Sequence, residues 1–233
     1  MTRRISTALL AVAVFAGGAA QAADPFTVGL STGYTGYYIL RGFKLGDSGN
    51  QSTLSASYQI QPTLAVAGSV WNYEAYKQSQ GNATDLDGHL VWTPKQVPVA
   101  VGLGFIYYGG SIGGHIKEVY ANASATQLPG HPLIAVFNGY DKPVHTVIWV
   151  QGSQAWQIAK GFTYTLWGGV GANFGKGYAP DGFAVAAVGN TFTHPLNKVL
   201  SVNGTVDFYA ANHRYDRSLR VNPGVNLAYG SAF

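Results

Sequence analysis

The sequence predicts an all-β protein, a transmembrane antiparallel up-and-down β-barrel of twelve strands, with ten as the alternative count. Three observations predict it. Charged residues make up only 10% of the 233-residue chain, against about 25% in an ordinary soluble domain. Apolar residues alternate with small or polar ones at period two over most of the length, the pattern of strands with two different faces. The last such alternation closes on an aromatic, Phe233. Hydrophobic residues at 47% and aromatics at 13% exclude disorder. A mean hydropathy of +0.06 excludes a helical membrane bundle. Cysteine is absent and Met1 is the one methionine, so a disulfide scaffold, a thiolate metal centre and a catalytic cysteine are excluded.

Residues 1–22 read as a secretory signal peptide. Arg3 and Arg4 are its basic start, Thr7 to Phe15 its short apolar run, and Ala20-Gln21-Ala22 a small-x-small cleavage site. The run is too short to span about 30 Å of hydrocarbon as a helix. Residues 23–233 then form the barrel. They hold no apolar run near 18 residues, so a membrane-crossing mature chain must cross with strands. The Lys and Arg residues are scattered and make no nucleic-acid patch.

Strands are expected at 26–42, 52–60, 63–73, 84–93, 97–108, 116–125, 132–139, 145–155, 162–174, 183–192, 199–209 and 219–233. In the second, Leu54, Ala56, Tyr58 and Ile60 alternate with Ser55, Ser57 and Gln59. In the fifth, Val97, Val99, Val101, Leu103, Phe105 and Tyr107 share one face, and Ala100, Gly102 and Gly104 the other. In the ninth, Phe162, Tyr164, Leu166 and Val170 face away from Thr163, Thr165 and Trp167. In the eleventh, Val202, Val206 and Phe208 face away from Asn203, Thr205 and Asp207. Compact turns alternate with longer polar connections. Gln61-Pro62, Pro94 to Gln96, Gln127 to Gly130, Gln157 to Gly161 and His194 to Lys198 are the turns; 43–51, 74–83, 109–115, 140–144, 175–182 and 210–218 are the loops. Even strand number with short turns at one end and loops at the other is the outer-membrane pattern.

A soluble lipocalin-like barrel or sandwich is the alternative, and the charge count decides against it. A soluble sheet makes its water-facing side about 25–35% charged, whereas here that side is Gly, Ser, Thr, Asn and Gln. Girdle aromatics are expected at Tyr58, Trp92, Tyr229 and Phe233 on the short-turn side and at Tyr38, Tyr107 and Phe208 on the loop side.

The last strand carries Leu219, Val221, Val225, Leu227, Tyr229 and Phe233 on one parity. Gly224, Val225, Leu227, Tyr229 and Phe233 resemble the C-terminal assembly signal of Gram-negative outer-membrane proteins. Tyr38-Ile39-Leu40-Arg41-Gly42 resembles the Tyr-x-x-Arg-Gly opening of the TorF-like porin family, and Asp85-Leu86-Asp87-Gly88-His89-Leu90 resembles its acidic-apolar fourth strand. The resemblance covers those two short motifs and the strand rhythm. It implies a porin-like barrel in the Gram-negative outer membrane, with lipid, lipopolysaccharide and the barrel-assembly machinery as partners and no nucleic acid.

Asp85, Asp87 and His89 point inward from one strand. An omptin-type protease needs a second acidic pair opposite, and Asp207 with His213 does not supply it. An outer-membrane phospholipase needs Ser and His adjacent on the outer face, and none are. The histidines at 89, 115, 131, 145, 194 and 213 show no metal-ligand spacing. The expectation is therefore no enzyme, no cofactor and no metal. The remaining charges, Arg41, Asp85, Asp87, Glu118, Asp207 and Arg220, face inward in the outer halves of their strands. They form either a solute-sorting constriction or an internal brace. Pairing Phe208 with Leu219 would set Asp207 directly opposite Arg220, with Arg41 joining them across the closure.

Twelve strands at about 4.8 Å spacing and a tilt of about 40° give a backbone diameter of roughly 24 Å, and a lumen of roughly 12 Å once side chains are subtracted. Gly29, Ser31, Ser55, Ser57, Gly102, Gly104, Gly169 and Gly171 favour an open lumen; Trp71, Trp167 and Tyr209 favour partial closure. The function this predicts is passive diffusion of small hydrophilic solutes. A non-conducting structural, adhesion or ligand-binding barrel is the alternative.

Overall fold

The structure is a computed structural model that describes residues 25–40, 43–77, 81–112, 115–125, 127–141, 144–175, 182, 184–212 and 219–232. The expected signal peptide, Arg41, His213 and Phe233 lie outside the described residues. The chain forms a closed antiparallel barrel of twelve strands. In chain order these are β1 (Phe26–Thr35), β4 (Gly49–Gln61), β5 (Leu64–Ala75), β6 (Asn82–Trp92), β7 (Ala100–Gly110), β8 (Ile116–Ser124), β9 (Leu133–Gly139), β10 (His145–Ala159), β11 (Phe162–Gly175), β12 (Ala184–Pro195), β13 (Leu200–Asn212) and β14 (Leu219–Ala232). The barrel closes by pairing β1 with β14, Leu30 opposite Tyr229 and Thr35 opposite Gly224. Two short strands, β2 (Tyr38–Leu40) and β3 (Phe43–Gly46), form a separate hairpin.

The expected parity holds around the wall. Leu54, Leu90, Leu103, Ile134, Val170, Val188 and Val225 are exposed on the outside, while Trp71, Asp85, Tyr120, Trp149, Trp167 and Asp207 are buried inside. An apolar exterior of this kind is solvated by lipid. Tyr58, Trp92, Trp156 and Tyr229 are exposed near the short-turn end, where amphipathic rings sit at the headgroup level. Strands tilt strongly. The paired row Gly29, Ser55, Ser69, Asp87, Ile106, Glu118, Gly139, His145 and Gly175 starts near the short-turn end of β1 and finishes at the loop end of β11.

Three expectations are corrected. The first strand does not run to residue 42 but ends at Thr35. Pro223 stands at the position that would pair with Gly36, and its carbonyl accepts the Gly36 N–H at 2.8 Å. Proline offers no N–H in return, so the ladder cannot continue. The Asn222 side chain then accepts the Tyr37 N–H at 2.8 Å, and Thr35 Oγ1 donates to the Tyr37 carbonyl at 3.0 Å. The chain leaves the wall and turns inward. Tyr38, expected in the outer girdle, is therefore buried inside the barrel. Second, two expected compact turns are longer: 93–99, where Val97 and Val99 belong to the turn before Ala100 and not to β7, and the connection from Ser124 to Leu133. Third, the last hairpin is shifted by two residues. Phe208 pairs with Val221, and Asp207 faces Asn222 instead of Arg220. A two-residue shift preserves the facing of every side chain, so the alternation alone cannot detect it.

Candidate functional site: the lumen

The lumen has two levels. Toward the short turns it is lined by small polar side chains. Ser31, Ser55, Ser69, Ser153, Thr165, Thr191, Asn203 and Thr205 all point inward and remain partly exposed. Thr27 and Ser57 hydroxyls hydrogen-bond at 2.5 Å across β1 and β4. Toward the loops the lumen is narrowed by large side chains. Trp71, Tyr73, Tyr120, Phe137, Trp149, Trp167 and Tyr209 form one buried cluster with Tyr38 and Ile39 of the β2–β3 hairpin.

The hairpin docks through aromatic contact. The Tyr38 ring lies 5.2 Å from Trp71 and 5.1 Å from Tyr73, centroid to centroid. Ile39 is 0% exposed. Tyr73 donates its hydroxyl to the Asp47 carbonyl at 2.5 Å. The Lys44 ammonium pairs with Asp47 and sits 4.3 Å above the Tyr37 ring, a cation–π contact. The hairpin narrows the barrel from within.

The inward glycines do not leave room; they give it to the neighbouring strand's ring. Trp149 lies over Gly169 and Gly171, Tyr120 over Gly104, and Trp167 over Gly189. The pairs Trp149–Gly171, Tyr120–Gly104 and Trp167–Gly189 are directly opposed in register. Small and large residues thus complement each other across strands, as close packing requires. This corrects the reading of Gly104, Gly169 and Gly171 as open lumen. Gly102 is likewise covered, by Asn122. Each inward tryptophan also satisfies its indole N–H on a polar wall group, as a buried indole must. Trp149 donates to Gln151 at 3.0 Å, Trp167 to Asp207 at 3.2 Å and Trp71 to Gln51 at 3.4 Å.

The inward charges divide into separate clusters. Asp87 accepts the Tyr120 hydroxyl at 3.1 Å and lies 3.2 Å from His89 Nδ1. Glu118 is 0% exposed and His145 1%. Glu118 Oε2 accepts the Tyr108 hydroxyl at 2.8 Å, and Oε1 lies 2.6 Å from His145 Nε2. His145 reaches Glu118 over Gly139, the residue opposite it on β9. Asp85 is buried on β6 between Trp71 and Tyr108 in the pairing order. Asp207 and Arg220 both face inward, diagonal neighbours across the β13–β14 hairpin. Gly224 faces inward, whereas Val225, Leu227 and Tyr229 face outward.

Spacing in the sequence missed the Glu118–His145 pair, whose members are 27 residues apart. It also missed the hairpin, although Pro223 inside a strand was a readable signal for it. Among the described residues no group of three His, Asp or Glu side chains is placed to hold a metal ion. The His89 Nε2 has no hydrogen-bond partner among them.

No family model matches the chain, and no curated protein matches it. Solved structures do. The COG4313 outer membrane channel from Pseudomonas putida F1 superposes with a TM-score of 0.59 at 13% identity, over 93% of this chain and 98% of that one. The NanC porin gives 0.57 at 10%, over 87% and 98%. The fold is that of outer-membrane barrels. The translocator domain of the autotransporter NalP from Neisseria meningitidis, at 0.53 and 10% identity over 99% and 96%, shares it too, so the likeness concerns the barrel and leaves the cargo open.

Proposed function

We propose that this protein is a porin-like barrel that passes small hydrophilic solutes passively across the Gram-negative outer membrane, with no catalytic role. The observation that carries the reading is the lining of the short-turn half. Serine, threonine and asparagine side chains such as Ser55, Ser69, Thr165 and Asn203 line it, partly exposed, and they can replace the hydration of a passing solute without trapping it. Selection would fall to the narrower level above, where Asp87 stands partly exposed beside the Tyr120 ring. In this reading residues 1–22 direct export, the assembly machinery recognises the last strand, and lipopolysaccharide surrounds the wall.

A second reading, a barrel that does not conduct, is favoured by one specific feature: the hairpin residue Ile39 is completely buried among inward rings. Single-channel recording of the refolded protein in a planar bilayer separates the two. Stepwise current that grows when Tyr38 and Ile39 are both replaced by Gly supports a constricted pore. A folded, heat-modifiable protein without steps, in both forms, supports the closed barrel and overturns the first reading.

A further inference from the structure

Toward the loop end the outer wall turns polar, briefly at Asn138 and Thr146 on β9 and β10 and over four strands in a row in one sector. Above Leu30, Leu54, Val70 and Leu86, the next outward positions on four neighbouring strands are Thr32 (β1), Ser52 and Asn50 (β4), Asn72 and Glu74 (β5) and Thr84 (β6). They line a shallow groove of about 330 Å³ on the outer face, at the loop end of β4 and β5. On β11, by contrast, the outward positions above Tyr164 are Leu166, Gly168, Val170, Ala172 and Phe174, apolar throughout. Polar side chains at this level that met hydrocarbon would go unsatisfied and cost free energy. A carboxylate there costs more.

The polar groups are only partly used within the chain. Thr84 donates to Asn72 Oδ1, and Tyr76 to Asn50 Oδ1, each at 2.9 Å. Tyr76 also stacks on Tyr34 beside the groove, ring centroids 6.1 Å apart. Among the described residues the Glu74 side chain has neither ion pair nor hydrogen bond, and the same is true of the exposed Lys77 ammonium three positions on. A lipopolysaccharide phosphate is a poor occupant, because the charge within the groove is the Glu74 carboxylate.

We infer that this sector is the contact face for a second copy of this chain. Two barrels inserted in the same direction are related by an axis along the membrane normal, so residues at equal depth meet. Hydroxyls and carboxamides each both donate and accept, so Asn50, Asn72 and Thr84 can face their own images. Glu74 of one copy lies at a depth where Lys77 of the other can reach it. The contact covers the polar row and pairs Glu74 of each copy with Lys77 of the other. It depends on the membrane-spanning fold and not on conduction.

The cysteine-free sequence makes the test clean. Asn72→Cys and, on the opposite wall, Val170→Cys are crosslinked in intact outer membranes before detergent is added. The covalent dimer is expected at least tenfold more abundant for Asn72→Cys. Glu74→Lys or Lys77→Glu alone should lower its yield severalfold, and the double exchange should restore it. Equal yields at the two positions, crosslinking of Asn72→Cys to a different envelope protein, or one chain per particle for the wild-type protein extracted in its native lipid would each overturn the inference. The wild-type particle mass also decides the matter if the cysteine variant does not fold.

Discussion

Trp149 on β10 covers Gly171, the residue directly opposite it on β11. The ring stands where a Cβ on residue 171 would go, so this pair fixes both the packing of the lumen and the identity of the smaller partner. Gly171→Val should push the ring off its seat and destabilise the barrel by about 1–3 kcal/mol, the usual cost of overpacking. Gly204→Ala on β13, where a Cβ meets nothing within 4 Å, should change stability far less. Reversible urea unfolding in lipid vesicles, followed by tryptophan fluorescence, measures both. Equal effects would mean that the lumen is looser than the register implies.

Facing and depth on β7 can be separated by two arginines. Leu103 is 59% exposed on the lipid side. Val101 points the same way but pairs with the girdle residue Trp92. Leu103→Arg should cost about 2–4 kcal/mol, and Val101→Arg about 0–1, because the penalty falls toward the interface. Unfolding from bilayers ranks them. The reverse order would place the membrane boundary elsewhere on this strand.

Asp207 accepts the indole N–H of Trp167. Asp207→Asn keeps an acceptor at that position while removing a negative charge from the lumen. If the barrel conducts, reversal potentials across a potassium chloride gradient should shift toward anions. Asp207→Ala should instead lose about 1–3 kcal/mol, since the buried indole donor is left unpaired.

The C-terminal strand makes a cellular prediction. Val225, Leu227 and Tyr229 face the lipid in sequence, and removing Phe233 from the end of that series should lower the fraction of heat-modifiable protein in the outer membrane severalfold. Quantitative immunoblotting of membrane fractions checks it. Undiminished assembly would remove the terminal aromatic from the signal.

Alternation by itself determined that the protein is all-β and which residues of each strand share a face; with the low charge count it assigned the apolar face to lipid, and it left the wall at twelve strands or ten. Those properties follow from neighbouring residues, because successive side chains on a strand point to opposite faces. Tertiary structure decided what parity cannot encode. A shift of two residues leaves every face unchanged, so the Asp207–Asn222 register depended on the whole β13–β14 pairing. The hairpin at Tyr38 and Ile39 turned inward because Pro223, almost two hundred residues away in sequence, stopped the closing ladder at Thr35. The Glu118–His145 contact exists because a tilted row of strands brings Gly139 between them and leaves the space open. The inward glycines, which read as empty space in one dimension, became seats for rings once their partners across the sheet were in place.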